Sequence, residues 1–258
     1  RSTLFPYTTL FRSNQRGDGA WPQALNDLED PPERVFGIGS RDVLRESCIS
    51  IIGARRASPY GLSVARLAGR VAAECGIVVV TGGAMGCDVT AARAALDAGG
   101  KTIVVTGTGA DVAYPRSSED VFARAMARGA VVSIESWGQT PRRYAFPKRN
   151  RIIAALSQSI LICEAGLRSG TFSTALAAGQ MNRDLYAVPG SIFSPESMGA
   201  NQLIAEGAHI IASEIDLEQR ISFDYGMLRM VGEGVSRQEG RIRSEEHTSE
   251  LQSQPTIS

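Results

Sequence analysis

At 258 residues the chain has room for one α/β domain with a sizeable core plus appendages. Its 27 Lys+Arg balance 27 Asp+Glu, which excludes a general electrostatic pull toward nucleic acid and leaves any such affinity to local patches. No run approaches a membrane span, no basic-then-apolar N-terminus reads as a signal peptide, and none of the four cysteines forms a C-x-x-C pair, so a reduced, cytoplasmic protein without membrane contact, disulfide framework or metal site is expected.

Residues 3–13 and 243–253 resemble translations of the two partner adapters used in short-read sequencing, and neither run has helix or strand periodicity. Residues 1–13 and 243–258 are therefore set aside as non-native, and the chain is expected to be a fragment of a longer protein. Residues 14–47, with Trp21-Pro22 and Asp30-Pro31-Pro32, predict an irregular lead-in. From Cys48 the pattern changes. Apolar runs at residues 48–52, 77–80, 102–105, 130–134, 159–163 and 185–188 predict six strands, with a seventh at 209–211. Between them fall helical patterns: Val64, Leu67, Ala68 and Val71 on one face; an alanine-rich stretch to Ala98; 119–128; the stretch after Pro147; 171–181; and 201–206. Ser213 with Asp216 three residues on resembles a capping box for a last helix. Strands that are continuous apolar runs and alternate with helices mean a parallel sheet buried on both faces. The fold class is α/β: a doubly wound, mostly parallel, Rossmann-like domain over residues 48–215, followed by a truncated linker at 216–242.

In an open parallel sheet, ligands bind outside the carboxyl ends of the strands. Those ends carry Gly53, Gly82-Gly83, Gly107-Thr108-Gly109 and Ser169-Gly170-Thr171, whose small residues let backbone N–H groups approach a phosphate. Val112 breaks the dinucleotide fingerprint, and no G-x-x-x-x-G-K-[ST] occurs. Catalysis has little to draw on. His247 lies in the adapter-like tail and His209 reads as a packed strand-edge residue. Asp88, Asp111, Glu135 and Glu164 follow strand ends, where capping and loop bracing are commoner roles than acid–base work. No catalytic residue, cofactor or metal is assigned.

The most informative stretch runs from Phe146 to Leu156. Lys148, Arg149 and Arg151, with Asn150 between them, precede the buried stripe Ile152, Ile153 and Leu156. Pro147 suits a first helical turn, so the cations crowd a helix N-terminus, where positive charge opposes the macrodipole and an anion would relieve the conflict. Arg55-Arg56 leave the first strand and Arg168 leaves the fifth, which would gather all of these cations on one rim. Phe146 could offer bases a stacking face, or equally anchor the helix in the core; Tyr144 is a second candidate platform.

These residues resemble the DNA processing (DprA/Smf) family of bacterial natural transformation. The likeness runs from about Trp21 to Ile211 and is carried by Gly53-Ala54-Arg55, Pro59-Tyr60-Gly61, the stretches 107–115, 146–153 and 188–195, and Glu164-Ala165 with Arg168-Ser169-Gly170-Thr171. The resemblance implies a Rossmann-like fold, single-stranded DNA binding, a homodimer, loading of the RecA recombinase onto incoming DNA, and no enzymatic activity. It points to Arg55, Lys148, Arg149 and Asn150 as DNA contacts. Ala54, Met85 and Ala92 depart from the family's usual serine, arginine and histidine. Two other classes share the strand-end chemistry: a lysine-decarboxylase-like nucleoside phosphate hydrolase, whose Pro-Gly-Gly-x-Gly-Thr-x-x-Glu signature is replaced at residues 164–171, and a nucleotide-binding regulatory module.

Overall fold

The computed structural model describes residues 10–17, 19 and 21–230. Nine strands among these residues form one sheet: β1 (Leu10–Gln15), β2 (Arg34–Gly39), β3 (Cys48–Ile52), β4 (Val78–Thr81), β5 (Thr102–Val105), β6 (Ala130–Ser133), β7 (Ser159–Ile162), β8 (Asp184–Ala187) and β9 (His209–Ile210). Their spatial order is β1-β2-β6-β5-β4-β3-β7-β8-β9. Neighbours from β6 through β9 pair in parallel, while β1 and β2 add an antiparallel edge. The order reverses between β3 and β7, which makes the crevice above their carboxyl ends the topological switch point.

Among the described residues seven helices cover the sheet: α1 (Pro59–Glu74), α2 (Cys87–Asp97), α3 (Glu119–Arg128), α4 (Ala145–Leu156), α5 (Thr171–Gln180), α6 (Met198–Ala205) and α7 (Glu214–Tyr225). Strand side chains alternate between two cores. Ile49 and Ile51 face α1, α2 and α7, whereas Cys48 and Ile52 face α4, α5 and α6. A third cluster around Phe122 seats α3 under β5 and β6. The doubly wound sheet is thus as the apolar runs predict. Where α1 crosses α2, a Cβ on Gly69 would lie 2.2 Å from the Ala91 carbonyl oxygen, so only glycine allows that approach. None of the helices among the described residues is long and apolar enough to cross a membrane.

Three expectations about the flanks need correction. The lead-in is not irregular. Trp21 is 1% exposed, donates its indole N–H to Asn26 Oδ1 at 3.1 Å and joins Leu25 and Leu28 in the core beside α4. Val35 and Ile38 of β2 are buried as well. The 3₁₀ turns Gln23–Asp27 and Asp42–Arg45 have no long periodicity, and the Pro and Gly residues hid a region that packs. Leu10 and Phe11, inside the run set aside as adapter-like, pair in register with Ile38 and Gly37; residues 1–9 and 243–258 lie outside the described residues.

The region after 215 is not a linker either, as far as residue 230. Ser213 Oγ accepts from the Asp216 N–H, while the Asp216 carboxylate accepts from Ala212, one residue earlier than a standard capping box. Leu217 and Ile221 are buried. The Tyr225 hydroxyl donates to the Cys48 carbonyl at 2.9 Å and shares a hydrogen bond with Ser159 Oγ at 2.6 Å. Arg229 pairs with Glu74, Glu214 and Glu218.

Truncating Trp21 to alanine should cost about 3–5 kcal/mol in urea unfolding, the range for a deep aromatic; a loss below about 1 kcal/mol would mean the lead-in is only draped on the fold. The cysteines offer a second check, since all four are buried. Burial pushes the Cys48 thiol up to about 12 and the Cys75 thiol up to about 11. A thiol-disulfide colour reagent at pH 8 should react with none of them in the native protein and with all four in denaturant.

Candidate nucleic-acid interface

A cleft of about 670 Å³ opens at the β3/β7 switch point. Its walls come from the β3–α1 loop with Arg55 and Arg56, the β7–α5 loop with Arg168 and residues 169–171, and Pro195 and Glu196 from the loop after β8; α4 contributes Arg149, Asn150 and Ile153. Arg55, Arg56 and Arg168 are exposed.

Two buried carboxylates hold these loops. Glu164, 2% exposed, accepts from Ser58 N–H at 2.8 Å and from Ser58 Oγ at 2.5 Å, while its carbonyl accepts from Ala54 N–H at 2.8 Å. Ser58 in turn caps α1 by accepting from Gly61 N–H. The turn carrying Arg55 and Arg56 is therefore pinned on both sides. Asp88, 6% exposed, accepts from Gly53 N–H at 3.3 Å and Gly82 N–H at 3.0 Å, which ties the end of β3 to the end of β4. Burial raises the Asp88 carboxyl above its ordinary range, against the pull of Arg149 and the two N–H donors.

Arg149 is not on the rim. It is 4% exposed, with Nη1 donating to the Val105 carbonyl at 3.3 Å and Nε without a partner. Burial lowers its guanidinium to about 10, opposed by Asp88. The helical spacing carried this signal: residue 149 stands three and four positions before Ile152 and Ile153, on the same buried stripe. Gly82 makes room for it, because a Cβ there would lie 1.5 Å from Arg149 Nη1.

Three of the glycine N–H groups expected to cradle a phosphate are committed elsewhere. The N–H groups of Gly53 and Gly82 are spent on Asp88, that of Gly109 on the Gln139 carbonyl at 2.9 Å, and Gly83 packs over Phe122. Gly107 backs onto the ring of Phe146. Ser169, Gly170 and Thr171 do line the cleft, with Ser169 Oγ accepting from Thr171 N–H and Oγ1 at the start of α5. Asn150 braces the same turn, donating to Ser173 Oγ at 2.7 Å.

Beside the main cleft lies a smaller one of about 50 Å³, lined by Arg55, Met85, Gly107, Tyr114, Phe146 and Arg149 among others. The half-buried Phe146 ring has the Arg55 guanidinium 5.6 Å and the Arg149 guanidinium 5.8 Å from its centroid, and Tyr114 tilts against it at 5.9 Å. Lys148 is exposed and sits 5.5 Å from the Tyr144 ring, outside both clefts, as is the half-buried Arg151. His209 is an exposed edge residue against Tyr186, far from this chemistry in the strand order. Glu196 escaped sequence reasoning, and Pro195 entered it only within the family-like stretch 188–195. Among the described residues no group of three or more His, Cys, Asp or Glu could hold a metal ion.

Removing Asp88 leaves Arg149 buried without a countercharge. Asp88→Ala should cost about 3–5 kcal/mol, whereas Lys148→Ala should stay within about 0.5 kcal/mol of the parent; equal urea midpoints for the two variants would refute this division of labour.

The profile of the family described as DNA recombination-mediator protein A matches residues 13–222. The chain is 37% identical over 207 residues to DNA processing protein DprA of Streptococcus pneumoniae, covering 80% of this chain and 73% of that protein. It is 34% identical over 229 residues to Protein Smf of Synechocystis, covering 84% of this chain and 57% of that protein. The X-ray structure of the Streptococcus pneumoniae protein superposes with a TM-score of 0.76 at 36% identity, over 80% of this chain and 72% of that one. DNA processing protein A of Helicobacter pylori, whose structure concerns its single-stranded DNA binding mode, superposes with a TM-score of 0.75 at 28% identity, over 84% and 96%. A molybdenum cofactor binding protein of Rippkaea orientalis shares the fold alone, at 20% identity. On the strength of the matching profile and these relatives, the chain belongs to the DNA recombination-mediator protein A family.

Proposed function

We propose that this chain binds single-stranded DNA along the arginine-lined edge of its sheet, without reading base sequence, and serves DNA recombination by presenting the strand to the RecA recombinase during natural transformation. The observation that supports it most is the cleft at the switch point, with Arg55, Arg56 and Arg168 exposed around it and the Asp88 and Glu164 carboxylates turned inward onto backbone N–H groups. In this reading Arg55, Arg56, Lys148, Arg151 and Arg168 meet phosphates, and Asn150 shapes the α5 turn they approach. Phe146 offers its ring to a base, and Arg149 fixes that ring from beneath. The chain binds rather than turns over its ligand, because Asp88 and Glu164 are committed to bracing loops. It acts in the cytoplasm as a homodimer, by likeness to the family. The single-stranded DNA binding mode of the Helicobacter pylori protein supports the ligand class.

Fluorescence anisotropy with oligo-dT and with duplex of equal length tests this. Single strands should bind more tightly, and log affinity should fall with log salt by about 0.7 per phosphate neutralised. The double variant Arg55→Ala/Arg168→Ala should shallow that slope by about 1.4. Equal affinity for duplex, or a salt-independent affinity, would overturn the proposal.

A further inference from the structure

Phe193 is 89% exposed, yet it is not on a loose segment. It sits in a tight turn where Ser194 N–H donates to the Ser191 carbonyl at 3.1 Å and its own N–H donates to Ser191 Oγ at 3.2 Å. The turn is anchored on one side by the Tyr60 hydroxyl, which donates to the Pro189 carbonyl at 2.7 Å. On the other side, Gly199 N–H donates to the Ala165 carbonyl at 2.7 Å. Two residues on, Pro195 and then Glu196 form the cleft wall that faces the exposed arginines. A large apolar ring thus stands exposed on a hydrogen-bonded turn beside the wall of a cationic cleft, with none of the described residues covering it.

From this placement we infer that Phe193 is a second stacking post, receiving a base of single-stranded DNA whose phosphates lie on Arg55, Arg56 and Arg168. The charge arrangement orients the strand. Glu196 on the same wall, bonded to Ser194 Oγ at 2.8 Å, repels phosphate, so the backbone is driven toward the arginines and the base toward the ring. An aromatic face accepts any base, which suits a ligand held without sequence preference. The inference rests on the single-strand reading above and adds the direction in which the strand leaves the cleft.

The test uses the whole chain and fluorescein-labelled oligo-dT, beside an abasic phosphodeoxyribose oligomer of the same length. Phe193→Ala should weaken oligo-dT binding about ten-fold, within the range for loss of one stacked base, and leave binding of the abasic oligomer unchanged. Phe193→Trp should restore affinity and show indole quenching on oligo-dT addition, whereas Phe193→Leu should not restore it. If the parent chain fails to bind oligo-dT, the underlying reading fails. If the parent binds and Phe193→Ala binds equally well, or loses abasic and dT oligomers alike, the stacking post is overturned while single-strand binding stands. Sedimentation of parent and alanine variant settles the remaining occupant: a change in oligomeric state would assign the ring to a second copy of the chain and overturn the inference.

Discussion

Two opposite charges, Asp88 and Arg149, buried within electrostatic reach of each other beneath the ends of β3, β4 and β5, shape the cleft edge of this protein. Taking Asp88 and Arg149 out of water costs several kcal/mol each, and their attraction alone does not offset that reliably. The site is completed by backbone: two N–H groups converge on the carboxylate and a strand-end carbonyl takes the guanidinium. Because those backbone groups stand at the ends of three different strands, β3, β4 and β5, the two side chains act as a keystone for the edge from which the loops depart. The arrangement also requires that Gly82 have no side chain, so a residue suggestive of ligand contact is there for internal packing.

The exposed cations depend on this hidden pair and on Glu164. Long charged side chains keep their rotamer freedom on a surface, and what a protein can set cheaply is where their backbone starts. The Arg55–Arg56 turn is fastened to Glu164 through Ala54 and Ser58, and to Asp88 through Gly53. Arg168 leaves the loop that follows Glu164 itself. Anionic residues thus organise a cationic face by holding the backbone of the loops that carry it.

The fold was legible in the sequence wherever a strand was wholly apolar, because burial on both faces leaves a run such as Val78 to Val80 with no other reading. The lead-in was not legible. Trp21, Leu25 and Leu28 bury themselves through a 3₁₀ turn too short to show a period, and glycines dilute the alternation of β2. At the cleft, sequence brought the β3 and β7 strand-end loops together but misjudged the orientation of Arg149 and of the glycines. Composition says that an arginine is exposed and that a glycine N–H is free, and both statements depend on what stands opposite in space. Arg149 found Asp88, sixty-one positions away, and the strand-end glycines found it too. Only the spacing of Arg149 against Ile152 and Ile153 hinted at this.

Tyr225 has a mechanical consequence for the cleft. Its hydroxyl clasps the starts of β3 and β7 from below, at the opposite end of the strands from the opening. Above, the Ala54 N–H to Glu164 carbonyl bond clasps the same two strands just past their ends, with the parallel ladder running between. The two strands that flank the crevice are therefore tied together at both ends, which fixes the spacing of the loops that leave them. A flexible polymer entering such a slot gives up its own freedom while the protein gives up little, which concentrates the entropic cost of association on the polymer.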